Sequence, residues 1–232
     1  METLLKIAHS LSRALLVEDR WKLYLRGLEL TLMIAAVACA IGIAIGILVA
    51  SAKVAAQGSR NPVLRALNLL CEAYTTVIRG TPLVVQLLIL YSLAAIPNGL
   101  TACFIGFGLN SGAYVSEIFR SGIQSVDIGQ TEAGRSLGLS RGTTMRFIIL
   151  PQAVKNVLPA LFNEFIALVK ETSIAGYIAV NELTKMANNI KSRTYDFTPF
   201  LLAAILYLIL TFVLTRVQKR IERRFARSDK NS

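Results

Sequence analysis

No charged residue occurs between Arg79 and Glu117. An interval of that length, holding apolar runs such as residues 83–96, exceeds what a buried core segment needs and calls for a hydrocarbon environment. The whole chain agrees, with hydrophobic residues at 54% of 232 and charged residues at 17%, and a mean hydropathy of +0.55. The net charge of +11 would suit nucleic acid, but its distribution matters more than its size. Lys53, Arg60 and Arg65 stand together without an acid. Arg216, Lys219, Arg220, Arg223, Arg224, Arg227 and Lys230 follow the last apolar run against only Glu222 and Asp229. Both groups read as cytoplasmic anchors, and nucleic acid is excluded as a partner because the apolar runs cannot remain in water.

The pattern predicts an all-α integral membrane protein with five transmembrane helices. The first covers roughly 25–51 and the last roughly 199–215, each near the length a bilayer requires. The second is broken: an amphipathic helix over 63–79 meets Gly80-Thr81-Pro82 and continues as an apolar run to Ile96, with Pro97-Asn98-Gly99 as an outer turn. The third spans about 100–123, and the fourth about 148–177, bent by Pro151 and Pro159. The chain thus divides into an N-terminal segment, 1–24, a transmembrane domain, 25–217, with a cytoplasmic loop at 127–146, and a basic cytoplasmic tail, 218–232. An odd number of spans leaves the N-terminus outside. Segment 1–24 argues the other way by its basic excess, but three segments placed inside, the 53–65 loop, the 127–146 loop and the basic tail, outvote it, and it lacks the apolar core and small-residue site of a cleaved leader. Cys39, Cys71 and Cys103 have no metal or redox spacing and read as small buried hydrophobes. Gly42-x-x-x-Gly46 predicts a close helix contact.

Charges at membrane depth cost several kcal/mol unless paired or wetted. In the second span Arg65, Asn68, Glu72, Thr75 or Thr76, and Arg79 recur at steps of three and four, which makes one polar stripe. In the fourth, Asn156, Asn163 and Lys170 recur at steps of seven, with Glu164 and Glu171 beside two of them. Two stripes imply a wetted path between helices, with Arg79, Glu72, Asn163, Glu164, Lys170 and Glu171 as its candidate lining. Arg79 or Lys170 could hold an α-carboxylate, and Glu164 or Glu171 an α-ammonium. Glu72 with Arg79, or Glu164 with Lys170, could equally pair with neighbours and only hold the bundle together.

In the loop, Asp127 followed by Gln130 predicts a helix start and Gly138 a left-handed stop. Between them Ala133 and Leu137 share one face, with Glu132 and Ser136 beside it. A helix of this kind either seats in a groove of a partner or simply lies solvated.

The stretch Glu132-Ala133-Gly134, then Gly138, then Ile148-x-Leu150-Pro151 resembles the E-A-A, G and I-x-L-P signature of permease subunits of ABC importers. Gly134 stands where the signature has its second alanine, a change that weakens a helix by roughly 1 kcal/mol. From Trp21 to about Leu183 the chain looks like the polar amino-acid branch of that family. The likeness is carried by Gly27 with Thr31, Tyr74, Arg79-Gly80-Thr81-Pro82 with Gln86-Leu87, Gly112-Ala113-Tyr114 with Glu117, Arg120, Gly122 and Ile123, and Gly129-Gln130. Further on, Pro151-Gln152-Ala153, Lys170-Glu171-Thr172-Ser173 and Glu182-Leu183 continue it.

The resemblance implies a type I ABC importer permease fold, in a bacterial inner membrane, that moves polar amino acids. It implies a cytoplasmic coupling helix on which Glu132, Ala133, Gly134, Leu137 and Gly138 dock an ABC ATPase dimer. It further implies a second permease subunit, identical or not, and an extracytoplasmic solute-binding protein, with membrane lipid around the assembly. No G-x-x-x-x-G-K-[ST] phosphate loop occurs, so ATP and Mg are expected on the partner ATPase and no enzyme activity or cofactor in this chain. The competing reading is an ion-gradient-driven secondary transporter of a small zwitterion, which would use the same broken helix and carboxylates.

Overall fold

The computed structural model describes residues 10–57, 59–93, 96 and 98–230, with side chains through Arg224. Every regular element among these residues is helical. The organising pair is α1, Trp21–Ala56, against α4, Gly99–Gln124. With 36 residues, α1 is about 54 Å long, so it is long enough to cross a bilayer and continues beyond the predicted 25–51. The two helices meet backbone to backbone. A Cβ on Gly42 would lie 2.6 Å from Ser111 Oγ, one on Gly108 2.6 Å from Ile41 Cγ2, and one on Gly46 would overlap Val115. The predicted Gly-x-x-x-Gly contact is this seam, completed by Gly108 and Gly112 from the other side.

The broken span is α2, Pro62–Gly80, and α3, Leu83–Leu93, bent by 107°. Thr81 is extended, at φ −121 and ψ 148, because the ring of Pro82 disfavours a helical residue before it, and Pro82 has no N–H to carry the helix on. Backbone acceptors on the near side of the break are taken up by one side chain. Gln86 Nε2 donates to Ile78 O at 2.7 Å and to Thr81 O at 3.0 Å, while its Oε1 accepts from Asn110 of α4 at 3.3 Å. Of the outer turn, Pro97 lies outside the described residues, and Asn98 caps α4 by accepting from Thr101 N at 2.8 Å.

The loop helix is α5, Ile128–Ser136. A helical turn, Arg141–Thr144, and a π-helical turn, Met145–Ile149, lead into α6, Leu150–Glu171, which holds Pro159. A 3-10 segment, Thr172–Ile178, then stops at Ala179 with φ 61, and α7, Leu183–Thr194, and α8, Thr198–Lys230, follow. The basic segment predicted as a tail is, over its described part, a continuation of α8.

Two cores hold the bundle. Ile34, Ala38, Leu87, Phe107, Leu168 and Ala175 form the larger, joining α1, α3, α4, α6 and the 3-10 segment. Tyr24, Leu183, Ala187, Ile190, Leu202 and Ala203 form the smaller, which fixes α7 between the first and last helices. Glu182 is 0% exposed. Its carboxylate accepts from Thr184 N and Lys185 N at 2.7 Å each, capping α7, and from Tyr207 Oη of α8 at 3.1 Å. Leu183 N donates to Thr31 Oγ1 of α1 at 3.3 Å, and a Cβ on Gly27 would lie 2.9 Å from Leu183 Cα.

Among the described residues two helices are by themselves long and apolar enough to cross a membrane, Val17–Ala56 and Thr198–Arg224, and the bent α2–α3 pair qualifies if taken as one. Five separately apolar spans are therefore not what the helices present. α4 is diluted by the glycines and serines of its seam and by Asn110, and α6 by Lys155, Asn156, Asn163 and Glu164.

Candidate functional site

Two regions carry the predicted residues, the loop helix and a polar face between α2, α4 and α6. At the start of α5 the Asp127 carboxylate accepts from Gly129 N at 2.6 Å. Gln130 does not reach back to complete the expected cap; its Oε1 accepts instead from Gln152 Nε2 at 3.5 Å. At the other end Gly138 has φ +79, with Gly138 N donating to Arg135 O at 3.0 Å and Leu139 N to Gly134 O at 3.1 Å. That pair of bonds is a Schellman stop and needs the left-handed residue.

Gly134 is a correction. The sequence reads it as a weakness in the helix, but it is buried, and a Cβ there would lie 2.7 Å from Thr144 Cγ2 and 3.0 Å from Ile148 Cδ1. Its lack of a side chain is what lets α5 lie on the turn leading to α6. The outward face then carries Glu132, Ala133 and Leu137, with Leu137 80% and Ile128 75% exposed. Apolar side chains on a polar loop mark a surface that a partner can cover.

On the polar face Arg79, at the end of α2, stands over the Tyr114 ring at 5.3 Å. It shares a cavity of about 780 Å³ with Glu117, Lys155, Asn156 and Glu164. Glu164 accepts from Ser111 Oγ at 2.8 Å, and Asn163 beside it is exposed. Of the six predicted lining residues, the structure brings Arg79 and Glu164 together. Glu72 is elsewhere, accepting from Asn68 at 2.7 Å and lining a smaller cavity of about 310 Å³ with Lys53 and Arg120. Lys170 is exposed and Glu171 half-buried at the far end of α6, about 9 Å along the helix from Glu164.

The sequence misreads Lys53. Far from being a solvated anchor, it is 8% exposed, with Nζ 3.0 Å from Glu117 Oε1 and 3.0 Å from Thr75 Oγ1. Arg120 Nη2 holds the other oxygen of Glu117 at 2.6 Å. The signal was present: Gly42, Gly46, Ala50 and Lys53 follow at steps of four, four and three, so Lys53 lies on the face that packs on α4. Gln86 is named in the sequence only as part of the resemblance, and its role at the break was missed, since only the fold brings Ile78, Thr81 and Asn110 to its amide.

A model of the family described as binding-protein-dependent transport system inner membrane component matches residues 42–227. The chain belongs to that family. Among relatives of this inner membrane component, a Rickettsia bellii protein that carries the name of a glutamine transport system permease, GlnP, is 42% identical over 187 residues, which is 78% of this chain and 83% of that one. The arginine transport system permease protein ArtQ of Bacillus subtilis is 38% identical over 191 residues, 79% of this chain and 83% of ArtQ. Among solved structures, a crystal structure of an amino acid ABC transporter with histidines aligns with a TM-score of 0.81 at 40% identity, covering 88% of this chain and 94% of that one. An inward-facing MetNI methionine ABC transporter aligns at 0.77 with 20% identity, covering 89% and 98%, a likeness of fold. The component is thus a type I ABC permease of the inner membrane, helical in every regular element among its described residues.

Proposed function

We propose that this chain is the permease subunit of an ATP-driven importer of polar amino acids. The observation that carries the substrate class is one cavity holding Arg79 and Glu164, the cation engaged with Tyr114 and the carboxylate with Ser111. A cation and a carboxylate not spent on each other match the two ends of an α-amino acid. The names of the glutamine and arginine relatives support the same class. Asn163, beside Glu164, and Glu72, Lys170 and Glu171, farther off, are read as further parts of the path outside that cavity.

The chain crosses the membrane five times, at α1, the α2–α3 pair, α4, α6 and α8, with α5 inside. Exposed Arg79, Glu72 and Asn163 cannot face acyl chains, so a second permease subunit covers this face and the path runs between the two. Glu132, Ala133, Gly134, Leu137 and Gly138 make α5 the plug that seats in an ABC ATPase dimer, and ATP with Mg sits on that dimer. An extracytoplasmic binding protein delivers the solute. Closure of the ATPase pair biases the permease between outward and inward states. An ion-driven secondary transporter has no need of α5, and the family match supports the ATP-driven reading.

In vesicles reconstituted with the partner ATPase and binding protein, uptake is expected to require ATP and to persist after proton and sodium gradients are collapsed. Uptake driven by either gradient without the ATPase would overturn the proposal. Arg79→Ala is expected to raise the half-saturating solute concentration about 10- to 100-fold, the worth of a charge-assisted hydrogen bond, with ATPase co-purification unchanged. Lys170→Ala, outside the cavity, should change it less. Equal, wild-type transport in both variants would remove the Arg79 clamp.

A further inference from the structure

We propose that the inner end of α8 is a binding site for anionic phospholipid headgroups. This rests only on α8 crossing the bilayer and not on what the permease carries. Along α8, Leu201, Ile205, Leu208, Ile209 and Phe212 are 55%, 42%, 68%, 54% and 56% exposed, and they recur at steps of three and four on one face. In the same register follow Arg216, Lys219 with Arg220, and Arg223. The stripe that faces acyl chains therefore turns basic without leaving its face.

The opposite side of α8 faces the protein. Gln218 is 6% exposed and donates to Pro159 O of α6 at 3.3 Å. Its amide also holds Glu222 Oε1 at 2.9 Å, which draws the nearest acid toward the packed side and away from the basic stripe. Arg216 lies over the Phe212 ring at 4.8 Å, an aromatic with a cation at the depth where membrane interfaces collect both.

The dimensions agree. From Arg216 to Arg220 the helix rises about 6 Å, and the headgroup layer on each side of a bilayer is about 5–8 Å thick. These cations sit within reach of lipid phosphates, and Arg223, about 10 Å from Arg216, lies just past the layer with a side chain long enough to reach back to it. Zwitterionic headgroups bring their own cation, so a run of arginines and lysine selects lipids with net negative charge. An acidic protein partner would have to lie in line with the lipid that covers Leu208 and Phe212, which the unbroken stripe disfavours.

The test uses the full chain in mixed micelles, titrated with phosphatidylglycerol or phosphatidylcholine and read as bound lipid by native mass spectrometry. The wild type is expected to prefer phosphatidylglycerol, and the combined variant Arg216→Gln, Arg220→Gln, Arg223→Gln to bind it about a hundredfold more weakly, from the cost of losing three interfacial charges. The matched Arg→Lys triple should keep the preference, which separates charge loss from misfolding. Moderate salt should weaken binding, whereas soluble glycerol phosphate at the same concentration should not compete. No wild-type preference, a preference kept by the glutamine triple, or full competition by glycerol phosphate would each overturn the proposal. So would a glutamine triple that keeps its lipid preference and loses the ATPase, since the stripe would then face protein.

Discussion

Gly46→Leu is expected to remove most folded protein from the membrane. A Cβ at that position overlaps Val115, with the backbone N of Ser116 3.0 Å away, so relief needs α1 and α4 to separate. Overpacking of a tight contact costs about 1–3 kcal/mol and more when backbone must move, against a total stability of roughly 5–15 kcal/mol. Gly80→Ala is the control. Nothing lies within 4 Å of its Cβ position, and an alanine there should be neutral or stabilising by up to about 1 kcal/mol. Thermal unfolding followed by size-exclusion chromatography in detergent compares them. A Gly46→Leu chain as stable as the Gly80→Ala chain would mean that the seam is not a backbone contact.

The loop helix gives the other large effect. Gly138→Leu forces a branched side chain to φ +79, which costs about 1–2 kcal/mol, or breaks the Schellman stop and frays α5. Gly134→Val drives a side chain into Thr144 and lifts the helix off α6. Glu132→Arg leaves α5 intact and reverses one exposed charge. All three chains are expected in the membrane at wild-type yield, because α5 adds little to either core. Co-purification of the ATPase should fall at least about tenfold in each, with ATP-driven uptake lost in parallel. Wild-type association in all three would end the assignment of α5 as the docking element.

What could be read in the sequence was what one segment decides alone. The break at Gly80-Thr81-Pro82 follows from proline chemistry, the stop at Gly138 from glycine's left-handed freedom, and the close contact at Gly42 and Gly46 from spacing. What escaped depends on neighbours far along the chain. Lys53 looked like a cytoplasmic anchor because Glu117 and Thr75 are 64 and 22 residues away. Gly134 looked like a defect because the Thr144 it accommodates is invisible to helix propensity. Five apolar spans were expected from five apolar runs, yet α4 and α6 carry so many small and polar side chains that hydropathy alone does not mark them. Of the candidate path, the stripes on α2 and α6 were visible, but which members share a cavity was not. That depends on how α2 packs against α4, which sets Arg79 over Tyr114 while Glu72 pairs along its own helix with Asn68.

The buried carboxylate of Glu182 bears on the order in which the chain is assembled. Its donors come from α7 and from Tyr207 midway along the last span, while Leu183 behind it is tied to Thr31 in the first. A carboxylate at zero exposure with a donor missing is costly. A chain emerging from N-terminus to C-terminus therefore offers this carboxylate the two backbone donors of α7 as soon as α7 is made, but not the third. The burial of Glu182 is complete only when the last helix is in place and Tyr207 supplies its hydroxyl, so the first and last spans finish the molecule together.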